Sequence, residues 1–216
     1  MKSKYIVFFD LDSTLCKIEG LDYLAKLKGK KEKVSELTKQ AMEGKIPFKE
    51  AIVKKLSIVR PSKKDLRVLS QTYIKNISPS AKELIKKLFK AKAEVFIITG
   101  SFKTAVYPLA EFLGIKKKNV FANEIIFDEK GDYKGLNLNN PLTENGGKPK
   151  IVGQILSKQK KPFYSIFIGD SITDLETQKI VDLFIGYTGV IEREIIKRKA
   201  KVSVKDLAEV AKILNL

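Results

Sequence analysis

YIVFFDLDSTLC, residues Tyr5 to Cys16, is an apolar run that ends in two aspartates one residue apart, Asp10 and Asp12. Its composition is that of a buried strand. Strand interiors exclude carboxylates, because burying an unpaired charge is costly. The two acids therefore mark the point where the chain leaves the core. Two later runs repeat the pattern: EVFIITGS (94–101) ends in Thr99, Gly100 and Ser101, and FYSIFIGDS (163–171) ends in Asp170 and Ser171. A fourth run, LFIGY (183–187), is shorter.

Helical patterns separate the later runs. Ser78 and Pro79 read as N-cap and first position of a helix with Ala81, Leu84, Ile85, Leu88 and Phe89 on one face. Continuous apolar strands alternating with helices predict an α/β fold whose parallel sheet is covered on both sides. Ligands bind such sheets beyond the carboxyl ends of the strands. Asp10, Asp12, Thr99, Ser101 and Asp170 all belong there. Between the first two strands lies a longer helical stretch, residues 16–77. Its amphipathic patterns, including Leu21/Leu24/Ala25 and Leu66/Leu69/Tyr73, predict a small helical module laid over the strand ends. The irregular segment 119–142 contains NEIIFDEKGDYKGLN, read as a β-hairpin flap turning at Lys130-Gly131.

The 216 residues suffice for one substantial core and a smaller appended module. No apolar run reaches the roughly 18 residues of a membrane span, and the run before Asp10 is too short for a signal peptide. One cysteine, Cys16, and no histidine exclude an internal disulfide, histidine-ligated zinc and Ser-His-Asp catalysis. Together these features favour the cytoplasm. The net charge of +17 invites a nucleic-acid reading, but only four of 42 basic residues are arginine, the usual partner of phosphates and bases. A lysine-rich solvated surface that attracts small anions is the plainer reading.

Two carboxylates at spacing two share one side of a strand, if the strand still holds there, and repel unless a cation or proton intervenes. Asp170 and Asp174, in GDSITD, add two more at the end of another strand. Four converging carboxylates make a hard-oxygen site suited to Mg²⁺. The competing reading of the second pair is a helix cap from Asp170 or Ser171. ITGSF supplies a hydroxyl and free backbone amides for an anion. Lys148, in NGGKPK, follows a glycine turn but lacks the spacing of a nucleotide-binding P-loop.

DLDST, ITGSF, GGKPK and GDSITD, in this order and spacing, resemble the haloacid dehalogenase superfamily of phosphatases. Within it the chain is similar to the phosphoserine phosphatase branch with a short helical cap, including stretches such as EGLDYLA, IPFKEAI and VFANEIIF. The resemblance implies a Rossmann-like core from residues 1–15 and 78–216, with a cap from 16–77. It makes Asp10 the nucleophile of an aspartyl-phosphate intermediate and Asp12 the general acid and base. It gives Mg²⁺ to the Asp10 side chain, the Asp12 carbonyl and Asp170, with Asp174 in support. Thr99, Gly100 and Lys148 would hold the phosphoryl oxygens.

The implied substrate is a small anionic phosphorylated metabolite, first of all O-phospho-L-serine. Glu19 would meet its ammonium, Phe48 would pack over it, and Thr173 is suited to contact it. Lys55 stands where the family has an arginine for the substrate carboxylate, and lysine cannot form the planar two-bond fork. At about 100° per residue, Lys55 nonetheless falls near the centre of the stripe Phe48, Ala51, Ile52, Leu56 and Val59. That is also the place of a lysine whose stem merely covers the core. Ser101 replaces a second glycine, where it would narrow the pocket, and Ser171 replaces another. The alternatives are the same chemistry on another phosphate ester or phosphosugar, and a basic nucleic-acid-binding module without catalysis. A homodimer is left open.

Overall fold

The computed structural model describes residues 4–42, 45–160 and 162–216. Residues 1–3 of the expected core, 43–44 of the expected cap and Lys161 lie outside them. The chain begins with β1 (Lys4–Phe9), followed by four helices, α1 (Gly20–Leu27), α2 (Lys31–Met42), α3 (Phe48–Val59) and α4 (Lys63–Lys75). Then come α5 (Ala81–Lys90), β2 (Glu94–Phe102), α6 (Lys103–Phe112), β3 (Val120–Asn123), β4 (Ile125–Phe127) and β5 (Tyr133–Leu136). The remainder is α7 (Gly147–Leu156), β6 (Phe163–Gly169), the single turn α8 (Ile172–Leu175), β7 (Leu183–Tyr187), α9 (Glu194–Lys199), β8 (Val202–Val204) and α10 (Leu207–Ile213).

Six strands form one parallel sheet in the order β3-β2-β1-β6-β7-β8. Side-chain alternation along β1 explains why its sequence is apolar throughout. Val7 and Phe9 face a core built with α5, α6 and α10. Ile6 and Phe8 face a second core built with α7, α8 and α9. On that second side Phe8 stacks between Phe96 and Phe167, with ring centroids 5.3 and 6.3 Å away. Burial of each such ring contributes about 2–3 kcal/mol. The central strand is thereby fixed in register, and so is the direction in which Asp10 leaves it. β1 is flanked by β2 on one side and β6 on the other, so the chain reverses its winding direction beside β1. Crevices form at such points.

The insertion leaves and re-enters the core through two adjacent segments. The Lys17 amide donates to the Asn76 carbonyl at 2.8 Å, and the Ser78 amide to the Leu15 carbonyl at 2.9 Å. α4 opens on a capping box between Ser62 and Asp65 and packs against α6. The expected hairpin is present as β4 and β5, with Gly131 at φ +86° in its turn. It rests on the insertion, where the Lys63 amide donates to the Gly131 carbonyl at 2.9 Å.

Four expectations need correction. β1 ends at Phe9, so Asp10 and Asp12 are not successive residues of one strand face; Asp12 lies in the turn beyond, next to Ser13 at φ +53°. The helix expected from Ser78 and Pro79 starts at Ala81, because Ser78 is held in the linker by its bond to Leu15. Phe89 is 39% exposed rather than on the buried face of that helix. The first part of the hairpin segment, Val120–Asn123, joins the main sheet as β3.

Candidate active site

Asp10 continues from β1, its amide donating to the Ile168 carbonyl of β6 at 2.9 Å. That bond zips the ends of β1 and β6 together and brings Asp10 beside Asp170, the first residue after β6. Carboxylate oxygens of Asp10, Asp170 and Asp174 lie within 4.8 Å of one another, and all three residues are buried. Asp174 enters from α8 because Gly169 leaves it room: a Cβ on Gly169 would sit 2.4 Å from the Asp174 carboxyl carbon.

Lys148 stands in the first turn of α7, whose N-cap Gly146 has φ +74°. Its ammonium lies 2.8 Å from Asp10 Oδ1 and 2.5 Å from Asp174 Oδ1. Burial works against its charge, but the two carboxylates outweigh that effect and its pKa is raised. The other oxygen of Asp174 accepts from the Ser171 amide at 3.0 Å and hydroxyl at 2.6 Å. Asp174 thus holds Lys148 and the start of α8, and the cap reading of Ser171 is also correct.

Burial, then the charges of Asp174 and Asp170, push the Asp10 carboxyl well above the ordinary range, with Lys148 pulling the other way. Burial and Asp174 likewise raise Asp170 to about 6, against the pull of Arg193. Asp12 rises to about 7, through burial and the nearby Glu19 carboxylate, opposed by hydrogen bonds from Tyr73 and the Gly20 amide. A cluster that resists ionisation in this way is one that a bound cation would relieve. The donors are carboxylate oxygens, without histidine, and Cys16 is buried with its thiol turned to the Tyr73 carbonyl. Such a set fits a hard divalent cation.

A cavity of about 150 Å³ opens above the cluster. Asp10, Asp12, Thr99, Gly100, Lys148 and Asp170 line its floor, while Glu19 and Phe48 line it from the insertion and Thr173 from α8. Thr99 ends a buried strand segment, and its hydroxyl oxygen accepts from the Ser101 amide at 3.0 Å. Its own proton remains to be given to a ligand. Asn123, at the end of β3, donates to the Gly100 carbonyl at 2.9 Å and so secures this part of β2, where the strand runs on to Phe102 and its register with β3 shifts.

Asp174 lies beneath the cavity wall, and two of the residues expected to contact substrate lie off it. Ser101 does not narrow the pocket; it is buried, with its hydroxyl 2.7 Å from the Tyr73 hydroxyl. Lys55 is half-buried on α3, and its pKa is lowered by burial against the pull of Asp22 and Glu19. The apolar stripe around it is as expected, with Ala51, Ile52, Leu56 and Val59 buried.

Leu142, Glu144 and Arg193 also line the cavity, and Arg193, Thr14 and Tyr73 bond to the site's carboxylates; the sequence pattern singles out none of the five for the site. Arg193 donates through Nε to Asp170 at 2.9 Å and through Nη2 to Glu19 at 3.1 Å, joining the acidic cluster to the insertion. Thr14 donates to Asp170 at 3.2 Å. Tyr73 donates to Asp12 Oδ1 at 2.6 Å. Arg193 was visible only as one of four arginines, and Tyr73 only as part of an apolar stripe. Glu19, at the N-cap position of α1, does not cap that helix; its carboxylate accepts from Ser13 at 2.7 Å and from Arg193.

Residues 6–182 match the haloacid dehalogenase-like hydrolase family. The chain belongs to the haloacid dehalogenase-like hydrolases. As a member of that family it is 38% identical over 204 residues to the phosphoserine phosphatase of Homo sapiens, covering 94% of this chain and 90% of the relative. A substrate-bound phosphoserine phosphatase complex superposes with a TM-score of 0.82 at 28% identity, over 99% of both chains. A phospho-aspartyl intermediate analogue of phosphoserine phosphatase superposes with a TM-score of 0.80 at 28% identity, over 98% of this hydrolase and 99% of that chain. No helix among the described residues is long and apolar enough to cross a membrane.

Proposed function

We propose that the protein is a Mg²⁺-dependent phosphomonoester hydrolase that converts O-phospho-L-serine and water to serine and phosphate. The observation that carries this reading is the buried grouping of Asp10, Asp170 and Asp174 with Lys148 at the carboxyl ends of β1 and β6. The relatives bearing the phosphoserine phosphatase name supply the substrate.

Asp10, the Asp12 carbonyl and Asp170 would hold the ion. Bound there, it supplies positive charge that offsets repulsion between a carboxylate nucleophile and a phosphate dianion. Lys148 adds a fixed charge, and Thr99 and the Gly100 amide add hydrogen-bond donors for the phosphoryl oxygens. An oxygen of Asp10 attacks phosphorus, and the bond to the serine oxygen breaks. The departing alkoxide takes the proton of Asp12. In the second half, water attacks the aspartyl phosphate and gives its proton to Asp12, freeing Asp10 and phosphate. A group near pKa 7 can serve both as acid and as base at neutral pH. Glu19 faces the substrate ammonium, with Phe48 and Thr173 completing the wall.

The second reading keeps this chemistry and changes the ester. It is favoured by Lys55, which replaces an expected arginine and stands off the cavity wall. The test is phosphate release from a panel of phosphate esters, with Mg²⁺ or EDTA, for wild type and Asp10→Asn. Phosphoserine turnover that needs Mg²⁺ and Asp10 is the expected result. Turnover of sugar phosphates alone would overturn the substrate, and full activity of Asp10→Asn would overturn the mechanism.

A further inference from the structure

The Tyr73 hydroxyl, carried by the last helix of the insertion, reaches across to the core. It is fully buried, lies 2.6 Å from Asp12 Oδ1 and 2.7 Å from Ser101 Oγ, and does not line the cavity. A phenol has one proton. Since that proton goes to Asp12, the Ser101 hydroxyl must donate to the Tyr73 oxygen. The order of donation is therefore Ser101 to Tyr73 to Asp12.

The space for this chain of bonds is narrow. A Cβ on Gly20 would lie 2.0 Å from the Tyr73 hydroxyl oxygen and 3.3 Å from Ser101 Oγ. Only the missing side chain at Gly20 leaves room for the phenol beside Ser101. Ser101, which the sequence reading placed in the substrate pocket, thus acquires a different use.

We propose that Tyr73 is a positioning residue, aligned by Ser101, that fixes the orientation of the Asp12 carboxyl group for proton transfer to the departing alkoxide. A carboxyl group turns readily about its Cβ–Cγ bond, because that torsion is broad and roughly two-fold. The Gly20 amide also donates to this carboxyl group, and the short bond from Tyr73 to Oδ1 adds the side-chain restraint that limits its rotation. The benefit is a reactant held in its productive geometry. The inference rests on the role assigned to Asp12 under Proposed function.

That role makes the test depend on the leaving group. Serine leaves as an alkoxide and requires the proton of Asp12; acetate, leaving from acetyl phosphate, departs as a stable anion and does not. With enzyme in excess over radiolabelled substrate, the first turnover reports P–O bond cleavage alone. Tyr73→Phe should slow serine release about 10- to 100-fold, part of the roughly 10²- to 10⁴-fold that a placed general acid contributes. Acetate release should stay within about twofold, as should KM for phosphoserine, because Tyr73 touches neither phosphate nor cavity.

Ser101→Ala should show the same selective loss to a smaller degree, and adding it to Tyr73→Phe should cause no further loss. It also serves if Tyr73→Phe does not fold. Equal slowing of both substrates in the folded variants would indicate a merely structural role and overturn the proposal, as would unchanged serine release. A wild-type protein that cleaves neither substrate would instead overturn the phosphatase reading itself.

Discussion

Replacing Asp10 with asparagine should stabilise the metal-free protein while abolishing turnover. The carboxylate oxygens of Asp10, Asp170 and Asp174 lie within 4.8 Å of one another. At an effective dielectric constant of about 20, a pair at this outer limit repels by about 3.5 kcal/mol, so each pair contributes at least that much, and Asp10 takes part in two pairs. Against these roughly 7 kcal/mol, Lys148 at 2.8 Å from Asp10 returns about 6 kcal/mol of attraction. The balance, at least about 1 kcal/mol, opposes the charged form before any cost of burial, which agrees in sign with the raised pKa of Asp10. Lys148 keeps Asp174 in the variant, so no buried charge is stranded.

The measurement is thermal unfolding in EDTA at pH 7. A gain of about 1 kcal/mol corresponds to a rise of about 2–4 °C in a chain of this size. Because the folded-state pKa is raised, stability is lost as pH climbs from the unfolded value of about 4 through the folded one, and the full cost is present above it. Below about pH 4 the acid is protonated in both states, and the two proteins should melt together. Added Mg²⁺ should reverse the order, since binding stabilises the form with the stronger site. A variant that melts lower than wild type in EDTA would refute the reasoning.

Further outcomes are expected elsewhere. Gly169→Ala pushes a Cβ to 2.4 Å from the Asp174 carboxyl carbon, so Lys148 should shift with Asp174 and kcat fall by about tenfold or more, measured by phosphate release. Asp65→Ala loses the Ser62 capping box and the 2.7 Å pair with Lys28, at a cost of about 1 kcal/mol by denaturant unfolding. The Asp65 pKa is lowered in the folded state, so its contribution should be present above about pH 4 and vanish as pH falls through the folded value. If Lys55 meets the substrate carboxylate, Lys55→Arg should lower KM for phosphoserine and Lys55→Ala raise it about tenfold, as expected for one charge-assisted hydrogen bond. Unchanged KM in both would remove Lys55 from the site.

The strands that could be read in the sequence are those buried on both faces. β1, β2, β6 and β7 show as apolar runs because helices cover the sheet on either side. β3 and β8 lie at its edges, and short segments such as Val202-Ser203-Val204 carry too few apolar residues to stand out. The paired aspartates were legible because each pair sits within one turn after a strand, where local spacing is the signal. Arg193 and Tyr73 offer no such signal. Arg193 reaches Asp170 from 23 residues downstream, and Tyr73 meets Asp12 from 61 residues away. Only folding discloses their partners. Ser101 gave a local hint by departing from a glycine pattern, but its meaning depended on Tyr73.

The direct test of the nucleophile is chemical trapping. The protein is mixed with Mg²⁺ and phosphoserine, quenched in acid within one turnover, digested and mapped by mass spectrometry. One phosphoryl group should appear on the peptide that contains Asp10, be released by hydroxylamine, and be absent from Asp10→Asn. Phosphoryl transfer to a different residue, or turnover that persists in Asp10→Asn with no trapped adduct, would contradict it.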